Sequence, residues 1–169
     1  MVRLAGAVLV AAGCGFLGFQ AAAGLRGRVR ALREMAQGLA LLERELELNV
    51  PPLSRLLAQG AARSRGPAGE LFRGCLQGLE HLEREEFSAL WRRLVARREE
   101  LGQEGQAVLL PLGDALGRCG AERQREALAA VRRRLEELAA ALEADSRRQG
   151  RVYQALGLSA GAFLVIVLL

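Results

Sequence analysis

The only histidine of the chain, His81, is the first residue that could carry acid–base chemistry. It lies in a dense run of charge with Glu80, Glu83 and Glu85, and Ser88 follows shortly after. A catalytic triad needs a nucleophile and an orienting carboxylate around its base, and nothing in this pattern distinguishes Ser88 from an ordinary surface serine. Because such runs of charge are typical of solvated turns, we expect no catalysis by His81.

The other groups that could catalyse a reaction or bind a metal give no stronger signal. Neighbouring carboxylates occur at Glu99–Glu100 and Glu136–Glu137, where nearby arginines favour solvated ion pairs over acid–base catalysis. Three widely spaced cysteines predict neither a disulfide framework nor a zinc site (Cys14, Cys75 and Cys119). The chain has no lysine, which excludes a Walker A phosphate loop and a Schiff-base mechanism. The sequence therefore predicts a protein that is not an enzyme and binds no metal or cofactor.

The two ends of the chain are free of charge. Leu4–Leu25 and residues 152–169 contain no charged side chain, and every charged residue except Arg3 lies between them. Helices of these lengths reach roughly 33 Å and 27 Å, against a hydrocarbon core of about 30 Å. We therefore predict transmembrane helices over residues 1–25 and 152–169, and a polar domain over residues 26–151. The apolar run continues past Cys14, so we expect the first segment to stay uncleaved.

Arginines flank both predicted spans on the side of the central domain. By the positive-inside rule, this bias places the domain in the cytoplasm and both termini across the membrane. The same arginines are candidates for contact with anionic headgroups of the lipid bilayer. This basic flank consists of Arg26, Arg28, Arg30 and Arg33 after the first span and Arg147, Arg148 and Arg151 at the second.

Small residues at four-residue spacing occur in both predicted spans. Gly157 and Gly161 form a GxxxG pair in the second span, and Ala11 and Gly15 have the same spacing in the first. Such positions let two membrane helices approach closely, which predicts helix packing in the bilayer. The richness of these segments in alanine and glycine is the alternative explanation.

Apolar residues recur every three or four positions through the middle of the chain. This period predicts helices, and no stretch alternates with the period of a strand. The fold class is therefore all-α, a six-helix cytoplasmic bundle flanked by the two transmembrane helices, with the first and last bundle helices running on into the spans. Pro111 is awkward inside the fifth helix, where an interior proline costs about 3 kcal/mol. Predicted breaks lie at Asn49–Pro52, Ser64–Pro67, Glu80–Glu86 and between Gly102 and Gly105.

The last bundle helix carries a heptad-like seam that could contact another helix. Its apolar residues are spaced three, four, three and four (Leu128, Val131, Leu135, Leu138 and Leu142). Acidic and basic residues are interspersed over 26–151, and aromatic residues are few. A nucleic-acid site usually needs a basic stripe with aromatic side chains, so we expect no nucleic-acid partner.

Several segments together resemble the stage III sporulation protein AB family of endospore-forming bacteria. They are Leu112–Gly117, which matches that family's LGxxLG segment, with Gln124 after it, and the ending Tyr153–Gly157 followed by Gly161 and an aliphatic tail. Pro52–Leu53 and the Phe72 segment also correspond, so the resemblance covers essentially the whole chain. This sequence departs from the family at Gly120, where an acidic residue is usual, and at Pro111.

The resemblance implies a component of a mother-cell-to-forespore channel complex in the outer forespore membrane. It implies a soluble domain similar to the helical bundle of general secretion pathway protein F-type platform proteins. The implied partners are the cytosolic ATPase of the complex and its other membrane subunits, and a homo-oligomer is left open. Our leading hypothesis is thus a non-catalytic membrane platform. The alternative is a membrane-tethered adaptor or sensor that binds a partner helix through the seam.

Overall fold

The computed structural model describes the backbone of residues 2–79 and 86–168, and the side chains of residues 24–79 and 86–147. Six α-helices and one 3₁₀ turn, Glu99–Leu101, account for nearly all of the described backbone, which contains no strand. The predicted all-α class and the number of helices are confirmed. The helices are α1 (Val2–Asn49), α2 (Leu53–Arg63), α3 (Gly66–Leu79), α4 (Phe87–Ala96), α5 (Gly102–Arg118) and α6 (Ala121–Leu168).

Proline and glycine end the helices where the sequence predicts the first two breaks. α1 stops at Asn49 before Pro51, and Pro52 occupies the position that precedes the first residue of α2. Val50 between them has a φ of 40°, which is unfavourable for a β-branched residue. The second predicted break, Ser64–Pro67, follows the end of α2 at Arg63 and contains Gly66, the first residue of α3, which has a φ of 57°. Of the predicted break at Glu80–Glu86, residues 80–85 lie outside the described residues, and Glu86 directly precedes α4.

The predicted loop between Gly102 and Gly105 is wrong, because both glycines belong to α5. Gly102 is the first residue of this helix, and its φ of 69° is one that glycine adopts without strain. A Cβ atom on Gly105 would be 2.7 Å from a methyl group of Leu32. The absence of a side chain at Gly105 therefore lets α1 and α5 pack closely. Pro111 lies inside α5, which is helical on both sides of it.

The chain divides into two compact units, residues 27–139 and residues 1–26 with 140–169. The first unit holds the described hydrophobic core. In it α1 contributes one fully buried face, and α6 contributes the first part of the predicted seam. The largest side chains with less than 2% exposure include Trp91, Phe72, Leu32, Met35, Leu39, Leu42, Leu109 and Leu112.

Glycines bring α4 close to α3 on one side. A Cβ atom on Gly78 would lie 2.5 Å from a methyl group of Leu90, and one on Gly74 would lie 3.2 Å from a methyl group of Leu94. Both contacts leave no room for a larger residue without movement of the leucine. The two glycines therefore form a smooth face of α3 on which the leucines of α4 pack.

A second glycine face, on α5, receives the aromatic residues of α4. Gly113 lies against Trp91 and Gly117 against Phe87, so α4 and α5 run antiparallel. The two aromatic rings are 6.1 Å apart between centroids. Trp91 is fully buried, and its indole Nε1–H donates a 2.8 Å hydrogen bond to the carbonyl oxygen of Leu109. This bond satisfies the polar group of the largest core side chain.

Among the residues described with their side chains, no helix is both long and apolar enough to cross a bilayer. The spans predicted over 1–25 and 152–169 lie outside those residues, apart from Gly24 and Leu25. The transmembrane helices therefore stay a prediction. The backbone of residues 2–25 and 152–168 is helical and belongs to α1 and α6, as the sequence predicts.

Candidate functional site

The part of the basic flank that α1 carries is exposed to solvent. Arg30 donates a 2.8 Å hydrogen bond to Glu34 one turn further along the helix. Arg28 lies against the start of α5, because a Cβ atom on Gly102 would be 2.8 Å from its Nε. Arg26 and Arg33 are exposed on the same helix. The first half of the flank is therefore accessible, with part of its charge offset by Glu34.

The second half of the flank is described only at Arg147. Its guanidinium donates a 2.8 Å hydrogen bond to Glu143, one turn earlier in α6. Arg148 and Arg151 lie outside the residues whose side chains are described. The same holds for the membrane-packing candidates, Ala11, Gly15, Gly157 and Gly161, which stay predictions.

The groups considered for catalysis do not assemble into a site in the described part of the chain. His81 lies outside it, and no three His, Cys, Asp or Glu side chains within it converge as metal ligands. Burial raises the pKa of the Cys75 thiol from 9.0 to about 12, so this cysteine stays protonated and unreactive at neutral pH. Glu136 and Glu137 accept hydrogen bonds from arginines one turn away.

A cleft of about 150 Å³ lies between α1 and the turn that joins α2 to α3. Gln37, Ser64 and Arg65 are among its lining residues, together with Glu34 and Arg63. The Ser64 hydroxyl is buried and has no hydrogen-bond partner among the described residues. No hydrogen bond from the Ser64 hydroxyl to a base is present among the described residues, and the cleft offers polar and charged contacts.

The predicted seam on α6 mainly faces the protein's own core. Leu128 and Leu135 are fully buried, and Val131 is 8% exposed. Leu138 and Leu142 are only half-buried. A partner helix could therefore reach the seam only at its carboxyl-terminal end, which removes most of the surface that the adaptor hypothesis requires.

The LGxxLG segment has a structural role that the sequence alone does not reveal. Leu112 and Leu116 are buried, while Gly113 and Gly117 provide the glycine face for α4. The Gln124 side chain donates hydrogen bonds of 3.1 Å and 2.9 Å to the carbonyl oxygens of Leu116 and Cys119. These bonds satisfy acceptors that the end of α5 would otherwise leave open. The sequence feature that could have indicated this cap at the end of α5 is Gln124, which follows the LGxxLG segment.

The structure explains why glycine is tolerated at position 120, where an acidic residue is usual in the family. Its carbonyl oxygen accepts a 3.0 Å hydrogen bond from the amide of Gln124, which places Gly120 just before the first turn of α6. A Cβ atom there would meet nothing within 4 Å. Glycine is an acceptable residue at such a position, although Asp and Asn are better.

Two further side-chain contacts were not predicted from the sequence, and the first of them joins helices that are distant in sequence. Arg132 of α6 donates a 2.9 Å hydrogen bond to Glu43 of α1 and a 3.0 Å bond to Glu136. The bonds to Glu43 and Glu136 raise the pKa of Arg132 above its usual value. Gln106 of α5 donates a 3.0 Å hydrogen bond to the carbonyl oxygen of Arg98 and so closes the end of α4.

Comparison with known proteins agrees with this architecture. A sequence model of the stage III sporulation protein AB family matches residues 3–169. A solved structure described as stage III sporulation protein AB aligns with a TM-score of 0.61 and 21% sequence identity. That alignment covers 72% of this chain and 97% of the other, and at this identity it shows a common fold. No curated protein matches the chain significantly. The family match over nearly the whole length confirms the resemblance: the chain belongs to the stage III sporulation protein AB family.

Proposed function

We propose that this protein is a non-catalytic platform component of the membrane channel complex that connects mother cell and forespore during sporulation. In this role the helical bundle receives the cytosolic ATPase of the complex, and the two predicted spans pack with other membrane subunits. The observation that carries the proposal is the family match over residues 3–169, which includes the bundle and both predicted spans. A shared platform architecture with general secretion pathway protein F-type proteins is part of the same proposal.

The charge pattern supports a membrane-anchored arrangement. Arg26, Arg28, Arg30 and Arg33 follow the first uncharged segment directly, and all four are exposed. Arginines close to a membrane surface each gain about 1 kcal/mol from anionic lipid headgroups. These arginines also favour insertion with the bundle on the cytoplasmic side, because the positive-inside rule acts on residues near the ends of a span.

Sidedness is tested by producing the chain in non-sporulating cells, so that it inserts into the plasma membrane, and labelling single cysteines with a membrane-impermeant maleimide in intact cells. Cys14 and Cys119 are first replaced by serine, while Cys75 is kept because it is buried and protonated. A cysteine at exposed Gln77 is expected to react only after lysis, whereas one at Val2 is expected to react in intact cells. Labelling of the Gln77 position in intact cells would refute a cytoplasmic bundle.

The role of the basic flank is tested in the same assay. Replacing Arg26, Arg28, Arg30 and Arg33 together by glutamine removes the bias after the first span and is expected to give a mixed or inverted orientation. The matched control replaces four exposed arginines far from either predicted span in sequence, Arg55, Arg73, Arg92 and Arg97. If both variants keep the original orientation, the flank does not set it.

Docking of the ATPase is tested with the full chain in membranes. Photo-crosslinking amino acids are placed singly at exposed positions on each bundle helix, and adducts with the ATPase of the sporulation complex are identified by mass. We expect adducts confined to one surface of the bundle. The absence of adducts from every position, with channel assembly intact, would contradict the platform role.

A further inference from the structure

The fourth and fifth helices carry opposite charge. α4 contains Arg92 and Arg93 and no acidic residue, whereas α5 contains Glu104 and Asp114 and ends at one arginine, Arg118, which is paired with Glu86. The glycine face of α5 packs these helices side by side, with Trp91 against Gly113 and Phe87 against Gly117. The α4–α5 hairpin, residues 87–118, therefore presents a basic helix beside an acidic one.

The outer surface of this hairpin has an apolar centre. Leu110 is 40% exposed, and it is one of three large apolar side chains described as exposed. Ala107 and Pro111 are exposed next to it on α5, and Ala96 is exposed on α4. Because Pro111 has no amide hydrogen, the Ala107 carbonyl oxygen lacks the donor that a regular helix supplies. This surface thus offers both an apolar contact and a backbone acceptor.

Charged residues flank the apolar centre on both helices. Arg92 of α4 and Asp114 of α5 are exposed. Within the described residues, neither has an ion-pair partner, whereas Arg98 and Arg118 are paired with Glu70 and Glu86. Arg92 and Asp114 are therefore available to a partner of complementary charge.

We propose that two copies of this chain associate through the α4–α5 hairpin about a two-fold axis. In this dimer α4 of each copy lies on α5 of the other, so that Arg92 meets the second copy's Asp114 and Leu110 packs near the second copy's Ala96. A basic helix beside an acidic one is self-complementary under a two-fold rotation, which makes each contact occur twice. An anionic lipid surface or a uniformly acidic protein would match Arg92 but not Asp114, which favours a second copy.

The contact is expected to be weak in free solution and effective in a membrane. One helical hairpin on another buries less than the roughly 1,600 Å² of a standard stable interface. Association therefore depends on the local concentration of the chain, which confinement in a bilayer raises. The inference goes beyond the platform role, and the dimer can exist whether or not the ATPase docks.

Disulfide crosslinking between singly substituted full-length chains tests the geometry. Cys14 and Cys119 are replaced by serine, and chains with Ala96→Cys or Leu110→Cys are reconstituted in liposomes alone or mixed. Crosslinked dimer is expected in the mixture, at least ten-fold above either chain alone. The control mixture pairs Leu110→Cys with a cysteine at Ala130, exposed on α6. Equal crosslinking in the control, or none in the test mixture, would overturn the proposal.

Charge reversal tests the same contact by a different route. Arg92→Glu and Asp114→Arg are each expected to weaken dimerisation in liposomes by 10-fold or more, because both create like-charge contacts. Mixing the two variants, or combining both changes in one chain, should restore it. At equal chain density in the liposomes, counting photobleaching steps on a dye-labelled Val2→Cys chain should give more two-step particles than the same chain with Arg92→Glu. Loss without restoration, an equal two-step fraction in both, or particles with more than two steps would refute a two-fold dimer.

Discussion

The packing of Trp91 on Gly113 predicts that a single added methyl group at this position of α5 destabilises the fold. In Gly113→Ala the new Cβ atom would lie 2.8 Å from Cδ1 of Trp91 and 3.0 Å from its Cβ and Cγ. Ordinary carbon contacts lie at about 3.5–4.0 Å, so the ring or the helix must move. Alanine by itself would stabilise the helix, since it is better than glycine by about 1 kcal/mol in a helix interior.

The ring has little freedom to move away. Trp91 is fully buried, and its Nε1 is held 2.8 Å from the carbonyl oxygen of Leu109. Breaking that bond leaves buried polar groups unsatisfied, which costs about 1–3 kcal/mol, and keeping it forces a backbone shift of similar cost. After subtracting the propensity gain, we expect Gly113→Ala to lower the free energy of unfolding by up to about 2 kcal/mol.

Gly117→Ala is the matched control in the same helix. A Cβ atom there would be 3.4 Å from Phe87, which is an ordinary contact, so we expect a gain of up to about 1 kcal/mol. The assay is urea unfolding of the full chain in detergent, followed by the fluorescence of the only tryptophan and by far-ultraviolet circular dichroism. The penalty of Gly113→Ala should shrink in a Trp91→Leu background. Equal or greater stability of Gly113→Ala than of the parent would refute this packing argument.

Three further outcomes follow from single contacts. Gln124→Ala removes both side-chain hydrogen bonds at the end of α5 and should lower the free energy of unfolding by about 1–2 kcal/mol in urea titrations. Arg132→Ala should cost about 0.5–1.5 kcal/mol by separating α1 from α6, more than Arg134→Ala, whose side chain is 69% exposed. Cys75, with its raised pKa, should resist maleimide at pH 8 in the folded chain and react only on unfolding, whereas half-buried Cys119 reacts first.

Controls make each of these outcomes decisive. Gln103 is exposed at the start of α5, so Gln103→Ala should leave stability unchanged. Equal effects of the two glutamine substitutions would mean that the cap contributes nothing. Indistinguishable effects of the two arginine substitutions would show that the contact with Glu43 is fully screened. Labelling of Cys75 at the rate of Cys119 would show that its burial is transient.

Local sequence patterns predicted most of the fold because they reflect local physics. The leucine period of α1 predicts its buried face, and Pro51 and Pro52 predict where that helix stops. The glycines of α5 misled the prediction, since glycine is usually a sign of a loop. Here Gly105 allows close approach to α1, which depends on a residue more than seventy positions away.

The candidate surfaces were only partly predictable for the same reason. The basic flank could be located because its arginines cluster in sequence directly beside the two uncharged segments. The hairpin surface around Leu110 depends on which sides of α4 and α5 are left uncovered, and this is decided by the pairing of their glycines and aromatic residues. The α6 seam could be recognised from its spacing, but the choice between a partner helix and the protein's own core required the tertiary structure.

The two glycine faces around α4 also constrain how this domain can diverge. Leu90 on one side and Trp91 on the other each occupy space that a glycine leaves open. A lineage that enlarges Gly78 or Gly113 would have to reduce the opposing side chain in compensation, because neither contact has spare volume. Among relatives, residue sizes at these positions should therefore vary inversely in pairs. Substitutions on α4 would then be coupled to substitutions at the facing glycine. The pairs on the α3 side would vary independently of the pairs on the α5 side.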